Sequence, residues 1–393
     1  RFPEDGPREV RAALLANLSR ALMRSAEPGR AIVAADLALD LAEHLNLTRL
    51  VAETFNNKGS SLGYLGRERE ARALLQAAVD VARAGGHVAA EIRALSNLGG
   101  SIDDVRQAAA SYRSAAELAL RVGNRSLARW ASEGARVSSY VSAGGWDEAL
   151  AADGAFEESD GEGIGSALDA IRHLAISAYM RVARGDPCDG ILDRLTILSG
   201  EVSDPFASSA VRFLRSDRAL IAGDYARAVD GTLGAADMDI QLSEIYLDLA
   251  TLPAVLGRDV DRARTVAARL TANRATGAIV DANRLRVDAA VAGLEGRHDD
   301  AAAGYRQALA RLAEFGREWP RAKAGLEFVL LMGSAHPAAG EAAMHARATF
   351  ERVGATPYLV WLDAALADSA PMTAVSGNAA TVPAAAGIRD RTS

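Results

Sequence analysis

At 393 residues the chain is longer than one compact core usually allows, so several domains or a repeat array is expected. Its hydrophobic content is 49% but its aromatic content only 5%, and Ala, Leu, Arg and Glu dominate, which favours helix over the β-branched and aromatic runs that strands use. A formal net charge of −7 and a pI near 5.5 argue against nucleic acid as the main partner, since phosphate binding needs a clustered basic footprint.

Taken in chain order, the first sign of a repeat is Ser19, Leu22, Ala31, Ala35 and Ala38. The second copy is clearest: Gly59, Leu62, Gly66, Ala71, Leu75 and Ala78 follow the tetratricopeptide order of small residue, large apolar residue, turn glycine, then small, large, small. Gly59 and Ala71 fall where two helices of a hairpin cross, and Gly66 suits the positive-φ end of the first helix. A third copy, Leu98-Gly99 with Ala108, Tyr112 and Ala115, has a turn three residues shorter. Further copies are marked by Tyr140, Gly144 and Ala149; by Ser216, Ala219, Gly223, Ala228 and Ala235; and by Ala289, Ala292, Gly296, Ala301, Tyr305 and Ala308. The spacing drifts between roughly 37 and 40 residues, longer than the standard motif of about 34.

These signals predict an all-α, tetratricopeptide-like α-solenoid of about nine hairpins, eighteen or nineteen helices in all, wound as a right-handed superhelix. Asp186, Asp204 and Asp224 beside the breaks suit N-caps or turn starts. The acidic, glycine-rich run at 157–165 predicts a flexible linker between an N-terminal lobe at 1–156 and a C-terminal lobe at 166–367. Residues 368–393 are rich in Ala, Thr, Ser, Gly and Pro without helical periodicity, and a disordered tail is expected there.

Motifs for chemistry are sparse. No phosphate-binding loop of the GxxxxGK[ST] type occurs, and the two lysines, Lys58 and Lys323, lie in unsuitable contexts. No His pair at i, i+4 and no His–Cys pairing suggests a metal site, and no GxSxG elbow marks a nucleophile. The expectation is a chain that is not an enzyme, with no cofactor, no metal and no catalytic residue. Cys188 is the only cysteine, so no internal disulfide can form and a reducing, cytoplasmic location fits. No apolar run is long enough to cross a bilayer, about 20 residues, and no secretory signal is present.

A binding surface is the better candidate. In such arrays the first helix of each hairpin lines a concave groove that takes peptide or protein segments. Positions counted from the small crossing residue select Arg20 and Arg24, then Glu53, Asn56 and Tyr64, then Arg93 and Ser96, then Arg172 and Tyr179, then Asp217, then Asn283 and Arg286. Asn57 and Asn97, one residue away, could also reach the groove. Asn suits a peptide backbone, and Arg grips a carboxylate with two parallel bonds. The Lys/Asn clamp by which co-chaperone domains hold C-terminal carboxylates is absent from the expected positions.

The stretches NLSRALMRSAEPGRAIVAADLALDLAEHLNL, FNNKGSSLGYLGREREARALLQAAVDVARAGG and ARATFERVGATPYLVWLDAAL carry a resemblance. They resemble the C-terminal repeat regions of bacterial proteins that join a class III adenylate/guanylate cyclase to an AAA/STAND-type ATPase and then to tetratricopeptide repeats. The repeat regions of LuxR-type ATP-binding regulators are similar too. The resemblance covers roughly the first 365 residues. It implies a regulatory, protein-binding module with ATPase and cyclase domains in cis; the alternatives are the sensor region of a LuxR-type regulator and a structural oligomerisation or autoinhibitory arm. The cyclase's metal carboxylates and the ATPase's phosphate loop have no counterpart here, and no helix-turn-helix follows the last repeat. The cyclase-linked version is therefore the expected one, and the start at Arg1 without an initiator Met suggests a C-terminal part of something longer.

Overall fold

The computed structural model describes residues 7–153 and 164–367, and all of its regular structure there is helical. The linker expected at 157–165 lies outside the described residues apart from its last two positions, which open a helix, and so does the tail expected at 368–393. Close packing divides the chain into two units within the seventh helix. Unit 1 runs to Ser138 and includes residues 274–277; unit 2 holds the remainder.

Unit 1 contains α1 (Arg8–Arg24), α2 (Pro28–His44), α3 (Thr48–Tyr64), α4 (Glu68–Ala84), α5 (Val88–Ser101), α6 (Val105–Arg121) and most of α7 (Arg125–Ser142). The first four helices are each 17 residues long. A backbone clock sets that length. Left-handed residues stand at Ala26, Asn46, Gly66 and Gly86, one every twenty positions. At each, the next residue's N–H reaches back to close the helix end: Glu27 to Leu22 O, Leu47 to Ala42 O, Arg67 to Leu62 O and His87 to Ala82 O, at 2.8–3.0 Å. One hairpin therefore repeats every forty residues. Small residues let its helices approach: Ala12, Ala31, Ala35 and Ala38 are sealed in hairpin one. In hairpin two a Cβ on Gly59 would stand 2.9 Å from Leu75 Cγ. The shortened third turn is also present. Asp104 caps α6 through the N–H groups of Arg106 and Gln107, and the Tyr112 ring lies against Gly99.

Unit 2 contains the end of α7, then α8 (Trp146–Ala151), α9 (Ile164–Arg184), α10 (Asp189–Glu201), α11 (Pro205–Ile221), α12 (Tyr225–Met238), α13 (Ser243–Leu249), α14 (Thr251–Leu256), α15 (Val260–Ala272), α16 (Ala278–Leu294), α17 (His298–Glu314), α18 (Glu318–Met332), α19 (Pro337–Val353) and α20 (Thr356–Ala367). Only Ala250 separates α13 from α14. Pro253 has no N–H for the Leu249 carbonyl and its ring crowds it, which breaks what would be one helix. Asp204 and Asp224 cap α11 and α12 as expected, as does Asp259 on α15, whereas the residue before α10 is Cys188 and not Asp186.

Within unit 2 the array folds back on its own start. Trp319 Nε1 of α18 donates to Tyr140 Oη at 3.0 Å, Arg352 Nε to Ala143 O at 3.0 Å, and Arg184 Nε to Val353 O at 2.7 Å. Every residue of α18 from Ala322 to Met332 is buried. An open groove would leave one face of such a helix wet. Here that face is packed with rings: Trp319 touches Tyr140, Trp146, Phe350 and Tyr358, with centroids 4.9–6.0 Å apart.

Candidate functional site

In unit 1, the first helices of three successive hairpins, α1, α3 and α5, line a cleft of about 160 Å³. Ala13, Ala16, Asn17 and Arg20 come from α1, Arg49, Leu50, Glu53 and Asn57 from α3, and Arg93 from α5. The alanines and Leu50 give it an apolar floor, and three guanidinium groups share its rim with one carboxylate. Glu53 Oε1 accepts from Arg49 Nη1 at 3.2 Å and from Arg93 Nη2 at 3.1 Å. No hydrogen bond or ion pair holds Arg20 among the described residues. Partial burial pulls its basicity down, the Arg93 and Arg24 charges lower it further, and Glu53 opposes them. The cleft thus carries a surplus of positive charge that Glu53 cannot cancel, which suits an incoming carboxylate. The surroundings share the sign: residues 1–138 hold 19 Arg and Lys against 16 Asp and Glu, in a chain of net charge −7.

The sequence-selected residues divide between the units. Arg20, Arg93 and Asn57 meet in the cleft, joined by Glu53. Asn57 Nδ2 also donates to Ala16 O at 3.1 Å, and Asn97 Nδ2 donates to Asn56 Oδ1 at 2.9 Å, so these asparagines tie neighbouring hairpins together. Ser96 turns its hydroxyl back to Ile92 O. Arg24 and Tyr64 stand at the C-terminal ends of α1 and α3, outside the cleft lining. Asn17 and Arg49 were missed. The 17, 57, 97 spacing would have found the first, and the i, i+4 relation of Arg49 to Glu53 the second.

In unit 2 the expected groove residues are taken by the fold. Arg286 is fully buried: its Nε donates to Glu327 Oε2 at 2.8 Å and its Nη1 to Asp248 Oδ1 at 2.7 Å, while Tyr305 Oη donates to the same Glu327 oxygen at 3.2 Å. Burial alone would lower the guanidinium's pKa, but Asp248 and Glu327 hold it raised. Asn283 Nδ2 donates to Glu244 at 2.8 Å, and Tyr179 is buried edge-on against Phe213. Arg172 pairs loosely with Asp169 at 3.8 Å over the Phe206 ring. Asn283, Arg286 and Tyr179, expected to line a groove, are buried in this structure and engaged in contacts within unit 2. Asp217 sits there too, its carboxyl pushed up to about 6 by burial and only partly offset by Lys323. Lys323 is buried over Trp319 and lowered to about 8, chiefly by burial.

Hairpins of two antiparallel helices, small residues at their crossings and left-handed turns at a fixed period decide the architecture. The repeat is tetratricopeptide-like. No family model matches the chain, and neither does any curated protein. Similar solved structures include Scc4, from its complex with Scc2n, at 8% identity and a TM-score of 0.39 over 93% of this chain and 79% of that one. Yeast Tom70 is similar at 12% identity and a TM-score of 0.35, over 91% of this chain and 88% of its own. Among the described residues no helix is long and apolar enough to cross a membrane.

Proposed function

We propose that this chain is a non-catalytic, protein-binding helical-repeat scaffold, and that the α1–α3–α5 cleft holds an acidic segment of its partner. The observation that supports this is the unbalanced arginine set: Arg20, Arg49 and Arg93 face the cleft with Glu53 as the only carboxylate. An extended peptide could place one carboxylate between Arg20 and Arg93 and rest its neighbouring side chain on Ala13, Ala16 and Leu50. The resemblance of the repeats supports a regulatory place beside cyclase and ATPase domains in the cytoplasm, with a LuxR-type regulator as the other parent.

Fluorescence anisotropy with a labelled hexaglutamate peptide tests the cleft, with hexalysine as control. The acidic peptide should bind saturably and weaken with salt, and Arg20→Glu/Arg93→Glu should abolish binding with the far-ultraviolet spectrum unchanged. Equal binding of both peptides, or binding that survives the double substitution, sinks the proposal.

A further inference from the structure

Inside unit 2 two opposite charges share one interior without touching. Burial raises Asp217 of α11 and lowers Lys323 of α18, and each also feels the other's charge. Neither makes a hydrogen bond or an ion pair among the described residues. Lys323 is 5% exposed, and its Nζ lies 5.8 Å from the centroid of the Trp319 ring. Leaving the ammonium's three donors unused costs free energy in a buried site, and the ring offsets only part of it. Asp217 in turn stands among tyrosines. Burial raises Tyr140, Tyr179 and Tyr358, and the Asp217 charge adds to the rise of each. Trp319 continues that wall, its ring centroid 6.0 Å from Tyr140 and 4.9 Å from Tyr358.

Solvent still reaches this interior. Asp217 and Tyr140 are surrounded deeply enough for burial to raise both, yet each keeps some exposure. A surrounded group that water can touch lines a recess. Tyr140 Oη accepts from Trp319 Nε1 and keeps its own proton to donate. Tyr140 and Lys323 thus bring donors to the recess, both beside Trp319, and Asp217 brings an acceptor. A simple anion entering there would meet the Asp217 carboxylate, and a simple cation would meet the Lys323 ammonium. A molecule carrying both charges satisfies both ends. We infer that this recess binds a free α-amino acid with an apolar side chain, its carboxylate on Lys323 and Tyr140 and its ammonium on Asp217. The rings of Tyr179 and Tyr358 give the side chain an apolar wall.

The chain has only two lysines, Lys58 and Lys323, so carbon-13 lysine labelling of the full chain gives each a separable side-chain resonance. Lys58, paired with Asp36, is the internal reference. L-Leucine should shift the Lys323 resonance saturably and raise its midpoint above about 8, because a carboxylate stabilises the ammonium; Lys58 should not move. Isocaproate lacks the ammonium and isoamylamine lacks the carboxylate, and calorimetry near neutral pH should find each roughly tenfold or more weaker. Asp217→Asn and Lys323→Met should each weaken L-leucine to a similar degree with the far-ultraviolet spectrum unchanged. A Lys323 resonance that L-leucine leaves in place overturns the inference. Isocaproate binding as well as L-leucine, or L-leucine binding that survives Asp217→Asn, overturns it equally, since the recess would then take anions only. Hexaglutamate binding should survive both substitutions, so failure here stays distinct from failure of the cleft reading.

Discussion

Replacing Arg286 by Met tests how unit 2 is held together. The guanidinium neutralises two carboxylates, Asp248 at 8% side-chain exposure and Glu327 at 0%, and fills the space between α13, α16 and α18. Met keeps much of the volume but removes the cation that is hydrogen-bonded to both carboxylates, leaving only buried Lys323 in their neighbourhood. Removing one partner of a buried pair costs about 3–5 kcal/mol, because the remaining charge is neither solvated nor paired. Spread over a unit of about 250 residues, where 1 kcal/mol moves the melting temperature by roughly 2–4 °C, the fall should be on the order of 10 °C. Calorimetry of wild type and Arg286→Met measures the effect, and Arg286→Met/Glu327→Leu should recover part of the loss. A deficit below about 1 kcal/mol refutes the reasoning.

Other expectations are more local. Gly59→Ala should cost about 1–3 kcal/mol in chemical denaturation by forcing a methyl onto Leu75, whereas Gly29→Ala, with nothing within 4 Å, should be neutral or slightly stabilising. Ala26→Gly should stabilise unit 1 by about 1 kcal/mol, since Ala26 holds φ at 56°, where a Cβ is strained. Glu53→Ala should tighten hexaglutamate binding several-fold and steepen its salt dependence, because it removes the only carboxylate from the cleft rim. Burial raises Asp217 to about 6 and Glu244 to about 7, so both favour the neutral acid in the fold. The stability they contribute is present at pH 4 and lost as pH rises through 6 and 7. Asp217→Asn/Glu244→Gln should flatten that fall in thermal melts at constant ionic strength.

Much of unit 1 was legible because its determinants are local. A small residue at Gly59, a large one at Leu75 and a left-handed turn at Gly66 each act on the next twenty residues, so spacing alone revealed hairpins and their inward faces. Ala26 and Asn46 escaped notice as left-handed positions because neither is glycine; the residues around them, not their own preference, hold them there. In unit 2 the hairpins were legible but their fate was not. Nothing near Arg286 in the sequence reveals that Glu327, forty-one residues later, will bury against it, or that Trp319 will meet Tyr140 across 179 residues. Arg93, Arg172 and Arg286 look alike as polar residues on first helices, and only the third is fully buried between two carboxylates.

The back-folding of unit 2 also bears on the order in which the chain is made. Hairpins in unit 1 contact their sequence neighbours, so each can dock as it leaves the ribosome. The bonds from Arg184 to Val353 and from Ala143 to Arg352 join segments 169 and 209 residues apart, and neither can form until nearly all of unit 2 has been synthesised. Until Trp319 emerges the rings of Tyr140 and Trp146 lack one of their final partners, a transient apolar surface for a chaperone to shield. Stalling synthesis shortly before Trp319 should leave unit 1 protease-resistant and unit 2 open to cleavage.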